Sequence, residues 1–140
     1  MMTVKLHTNG LIEQHEIDEK AYEYKFEAFA AAIGCEWIDI VHAANLPEGY
    51  CLVVDDEGLL KGQPVVNLIA SYLYGTQEHG QPLCGDVLIA KDEYTPDGLE
   101  TVGLEEADFY KVMDVLTNGN AQYGVRNVYN KLKEIRGEHE

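Results

Sequence analysis

The chain has 140 residues, 46% hydrophobic and 25% charged; that composition excludes disorder, collagen and coiled coil, and the length suits a single domain, 1–140. No apolar run approaches the roughly 20 residues that cross a bilayer, and the opening Met1-Met2-Thr3-Val4-Lys5-Leu6-His7 lacks the apolar core of a signal peptide, so the expectation is a cytoplasmic protein without membrane contact. Ten Lys+Arg against 25 Asp+Glu leave a net charge of −15, which excludes a general duplex-binding surface, because nucleic acid is bound through cations.

In chain order, Thr3 to Leu6 alternates as a strand does, Asn9-Gly10 is a turn signal, and Leu11 to Ile17 returns, giving an N-terminal hairpin within residues 1–18. Asp18 caps a helix expected over 19–33, whose stripe is Tyr22, Phe26, Phe29, Ala30 and Ile33 and whose end is Gly34. Cys35 to His42 has strand composition. The continuous apolar run Tyr50 to Val54 reads as a strand buried on both faces. Asp55-Asp56-Glu57-Gly58 reads as a tight turn, with Leu59-Leu60-Lys61 beginning a return strand.

Pro64 suits the first turn of a helix, and Val66, Ile69, Ala70, Leu73 and Tyr74 form the stripe of a short helix ended by Gly75. Thr76 to Pro82 is a loop, and Leu83 to Ala90 another strand, with Gly85 marking a bulge or close approach. Lys91 to Gly98 is read as a charged turn region. Leu104 to Leu116 is a helix with carboxylates in its first turn, Asn118-Gly119-Asn120 breaks it, and a last helix runs from 125 to 135. The fold class is α+β: a single mixed, largely antiparallel sheet with three to four helices packed mainly on one face.

Charge is uneven. Between Gly34 and Ala90 the sole cation is Lys61, while Arg126, Lys131, Lys133 and Arg136 cluster near the C-terminus. Cys35, Cys51 and Cys84 make no close pair and read as reduced structural thiols. His7, His15, His42, His79 and His139 show no metal-ligand spacing, and Asp55 to Gly58 lacks the alternating oxygens of a calcium loop. No metal or cofactor is expected, and no phosphate loop or nucleophile elbow occurs.

From Gly49 to Ala90 the chain resembles the phage and mobile-element proteins grouped as domain of unknown function 3846. The resemblance is carried by Asp56, Glu57, Gly58, Gly62, Pro64, Asn67, Ala70, Leu73, Tyr74, Gly75, Gly85 and Asp86, and extends over about residues 27–117. That leaves 118–140 as a C-terminal helical extension. The resemblance implies an accessory gene product of a phage or plasmid in the host bacterial cytoplasm, acting on host machinery such as defence.

Two binding readings and one catalytic reading follow. In the first, a small anionic, nucleotide-like ligand is sequestered without catalysis, with Lys61 supplying charge, Asn67 standing at a helix start, Tyr74 offering a stacking face and His79 following in the loop. Subunits of a homo-oligomer would complete such a pocket, with Arg126 reaching a neighbour's site. In the second, the acidic surface inhibits a host protein as a nucleic-acid mimic. In the third, His42 or His79 with Asp86 forms the acid/base pair of a small-nucleotide hydrolase.

Overall fold

In β4 (Tyr50–Asp55), Tyr50, Leu52 and Val54 are buried on one side of the sheet, and Cys51 and Val53 on the other. A strand apolar on both faces belongs in the interior of a covered sheet. A computed structural model, which describes residues 1–135, puts it there; Arg136 and His139 lie outside the described residues. β4 pairs with β3 (Ile38–His42) on one side and β5 (Val87–Thr95) on the other. β5 pairs in turn with β1 (Met2–Leu6), and β1 with β2 (Ile12–Glu16). The order is β2-β1-β5-β4-β3, and the outer half of β5 carries β6 (Gly98–Val102). Every pairing is antiparallel, so the sheet is not mixed.

α1 (Lys25–Ile33) covers one face, with Ala28 and Phe29 against Cys51, Val53, Leu88 and Ala90. The other face is covered by α2 (Leu68–Tyr74) and α4 (Glu106–Thr117), whose Ala70, Leu73 and Val112 pack on Val4, Leu52 and Ile89. α3 (Thr76–His79) and α5 (Gly119–Ile135) complete that side. α5 packs on α2 and α3 as an outer layer. Gly124 lies against the Tyr72 ring, where a Cβ would overlap it.

Several expectations change. Thr76–His79, read as loop, is the short helix α3, started at once after the Gly75 cap, and Pro64 precedes α2 rather than standing in its first turn, because Asn67 is the cap. Asp18 caps only a 3-10 turn, Glu19–Ala21, and α1 starts later, where the Glu27 carboxylate accepts from the Tyr24 N–H. No return strand follows Asp55: both edges of β4 are already paired, and the chain turns out through Gly58–Leu60, leaving Leu60 83% exposed. The supposed turn region 91–98 is the outer half of β5 and the start of β6, joined at Pro96-Asp97. Its residues are largely solvated, so no apolar alternation announced it. α5 begins at Gly119 rather than 125, because Asn118 Oδ1 accepts from the Asn120 N–H and restarts the helix at once.

Candidate functional site

The residues that carry the family resemblance converge where the chain crosses from β4 to α2. Asn67 is 1% exposed. Its Oδ1 accepts from the Ala70 N–H at 3.1 Å, and its Nδ2 donates to the Leu6 carbonyl at 2.9 Å and the Gly85 carbonyl at 3.0 Å. One side chain thus starts α2 and ties the end of β1 to the bend before β5. The bend needs Gly85, whose φ is 87°. Gly58 passes the same bend so closely that a Cβ would lie 2.8 Å from the Cys84 carbonyl oxygen.

Asp86 continues the lock. Its Oδ1 accepts from the Thr8 N–H at 3.1 Å, and its Oδ2 lies 3.8 Å from Lys5 Nζ and 3.6 Å from His7 Nδ1. The other ring nitrogen of His7 is 2.7 Å from Glu13 Oε1, a hydrogen bond that holds the Glu13 carboxyl below its usual range. The acid/base pairing of His42 or His79 with Asp86 is therefore not what these contacts display. His42 is exposed at the end of β3, and His79 Nδ1 accepts from the Gln81 N–H at 3.0 Å.

Two clefts flank the crossing. One of about 280 Å³ is lined by Thr8, Gly34, Lys61, Pro64, Cys84 and Asp86. The other, about 150 Å³, is lined by Asp39, Val41, Asp55, Asp56, Tyr74 and Cys84. Asp55 borders both and holds Lys61 Nζ at 2.7 Å, raising the Lys61 pKa. A third hollow of about 270 Å³ lies beside His7, Asn67, Leu68, Ile69 and Val125.

The structure thus brings Tyr74 and His79 together, edge to face with centroids 4.8 Å apart. Lys61, Asn67 and Arg126 are dispersed: Lys61 borders one cleft, Asn67 is buried behind another, and Arg126 is exposed on α5. Among the described residues, no group of three or more His, Cys, Asp or Glu is placed to hold a metal ion.

Sequence reasoning passed over the β3 edge. Trp37 is 55% exposed and Ile40 37% exposed there. A groove of about 330 Å³ between α1 and the sheet is lined by Phe26, Phe29, Ile38 and Ile40, with Lys25, Glu100 and Thr101 at its end. The signal was the alternation Ile38-Asp39-Ile40, read only as a strand.

A second polar network, around Asp108, is structural. Asp108 is buried, accepting from Tyr50 Oη at 2.7 Å, Lys91 Nζ at 3.2 Å and the Glu105 N–H at 3.0 Å. Burial works to raise its pKa, but these donors outweigh it and the net shift is downward. Burial, with the Asp108 hydrogen bond, pushes the Tyr50 hydroxyl up to about 12. Burial also pushes the Cys51 thiol up to about 12 and raises Cys84 and Cys35. None of the three is an activated nucleophile.

The chain belongs to the family described as "Domain of unknown function (DUF3846)", whose pattern matches residues 2–116. The match takes in the β1–β2 hairpin, which the resemblance over 27–117 left out, and it ends before α5. That boundary has a structural sense, since β1 lies beside β5 inside the sheet. No curated protein and no solved structure matches the chain. No helix among the described residues is long and apolar enough to cross a membrane.

Proposed function

We propose that this family member works by binding rather than catalysis, and that it engages a basic surface of a partner protein. One observation carries this reading: Asp39, Asp55 and Asp56 border a single cleft, and Lys61 beside it is already paired to Asp55. A cleft with that balance attracts cations and repels phosphates. The geometry thus supports the acidic-inhibitor reading over nucleotide sequestration. Asn67 Oδ1 and both amide N–H bonds are directed to the protein's own backbone, which takes away the polar anchor that sequestration needs.

In the phage-type accessory setting that the family resemblance implies, the partner is a host protein with a nucleic-acid-binding face, and the acidic cleft stands in for phosphates. The test is capture of a partner from a bacterial lysate at low ionic strength, followed by competition. A stoichiometric partner released by duplex DNA and by salt is the expected result. Native mass spectrometry with a panel of linear and cyclic nucleotides supplies the opposite outcome. An unmodified nucleotide bound one per subunit overturns the proposal in favour of sequestration, and a product mass would indicate a hydrolase. The same spectrum counts subunits and so tests the homo-oligomer.

A further inference from the structure

Resting on the partner-protein reading, we infer that the open edge of β3 accepts an extended segment of the partner as an added antiparallel or parallel strand, and that this segment alternates apolar residues with Lys or Arg. β3 stands at the end of the sheet order and, among the described residues, pairs only with β4. Its two faces differ in chemistry. Ile38 and Ile40 lie opposite Asp55 and Val53, on the α1 side, where they line the apolar groove with Phe26 and Phe29. Asp39 and Val41 lie opposite Val54 and Leu52, on the α2 side, where Asp39 borders the cleft with Asp56.

Side chains of a strand alternate between faces with period two. A strand added beside β3 therefore sends every second side chain over the apolar groove and the others beside the carboxylates. Charge complementarity fixes the second set as basic.

The edge is guarded in the unbound chain. The Ile40 N–H is held by the Asp39 carboxylate at 2.9 Å. The Asp56 N–H donates to the Trp37 carbonyl at 3.0 Å, so by antiparallel alternation the backbone groups of Trp37, Asp39 and Val41 face β4 and the Ile40 amide faces the open side. A side-chain carboxylate over an edge amide is one way a protein keeps such an edge from unspecific pairing. An incoming carbonyl replaces the carboxylate at the Ile40 N–H, and Asp39 is released to meet the neighbouring cation. Lys25, at the end of the groove, has its ammonium on the Thr101 carbonyl at 2.9 Å.

The probe is a heptapeptide alternating Lys and Val, compared with the same residues in block order and with the alternating peptide N-methylated at its backbone amides. Trp37, the single tryptophan, stands just before β3 and reports binding to the full chain by its fluorescence. The expected result is binding about ten-fold tighter for the alternating peptide than for the block peptide, lost on N-methylation. Amide exchange slows in β3 and stays unchanged in β2. Asp39→Asn keeps an acceptor for the Ile40 N–H but removes the charge, and weakens binding roughly three-fold.

Equal, salt-sensitive binding of both peptides with β3 exchange unchanged overturns strand addition and leaves the acidic-surface reading standing. Failure of either peptide to bind, while a captured basic partner leaves β3 exchange unaltered, also overturns it. Concentration-dependent protection of β3 without peptide assigns the edge to a second copy of the chain and overturns it as well. A bound nucleotide in the native spectrum removes the underlying reading itself.

Discussion

The junction around Asn67 and the open edge of β3 are built from similar residues and used in opposite ways. At the junction, polar groups face inward and are matched: Asn67 holds three backbone groups, and Asp86 meets Thr8, Lys5 and His7. At the edge, Asp39 and Ile40 are exposed, Asp39 bonds locally to the next residue's amide, and Trp37 stands largely in solvent. The polar residues that stand out in the sequence are therefore architecture, and an ordinary-looking strand carries the exposed chemistry. A buried polar group left without a partner costs several times what an exposed one does, so the two regions must respond differently to mutation.

The largest effect is expected at Asn67. Asn67→Leu orphans the Leu6 and Gly85 carbonyls and the Ala70 N–H, and lowers stability by about 3 kcal/mol, read as a shift in the urea midpoint. A loss within experimental error would mean that the junction is not closed by this side chain. Gly58→Ala comes next. Its Cβ would press on the Cys84 carbonyl, for a cost of about 2 kcal/mol by the same measurement. A neutral result would show that the crossing segment moves freely.

Asp108 adds a pH dependence to the inward-facing set. Its folded pKa is lowered, so its stabilising contribution is present above the ordinary carboxyl pKa and disappears as pH falls through the folded value. Asp108→Asn should cost about 1–2 kcal/mol at neutral pH and flatten the acid limb of a stability-against-pH curve. An unchanged acid limb would remove this network from the account.

The smallest effects belong to the edge. Asp39→Asn and Ile40→Thr should change stability by no more than about 0.5 kcal/mol, while Asp39→Asn impairs peptide binding as described. A large loss of stability from either would erase the contrast between the two regions. Cysteine labelling sharpens it further. Cys51 and Cys84 are buried, and both should resist alkylation at pH 8 until the chain is unfolded, with Cys35 reacting ahead of them.

Local features were legible in the sequence because each is encoded within a few residues. Asn67 at a helix start, Gly34 and Gly75 as helix ends and the acidic first turn of α4 follow from side-chain reach and helix-end chemistry. The double-sided burial of β4 was legible for the same reason. The outer half of β5 and all of β6 were not, because a hairpin that is mostly solvated has no apolar face to write into the sequence. The candidate ligand residues Lys61, Asn67, Tyr74, His79 and Arg126 each had a sound local rationale, yet they do not form one site: Tyr74 and His79 meet, while Lys61 borders another cleft and Arg126 is exposed on α5.

The sequence by itself determined the α+β class, the capped helices, the buried central strand and the acidic character. Only the tertiary structure decided the strand order, the meeting of His7 and Thr8 with Asp86, the saturation of Asn67, and which strand was left at the edge. Those depend on pairings between segments far apart in the chain, and a residue's own neighbourhood carries no record of which distant backbone groups will fill its hydrogen bonds.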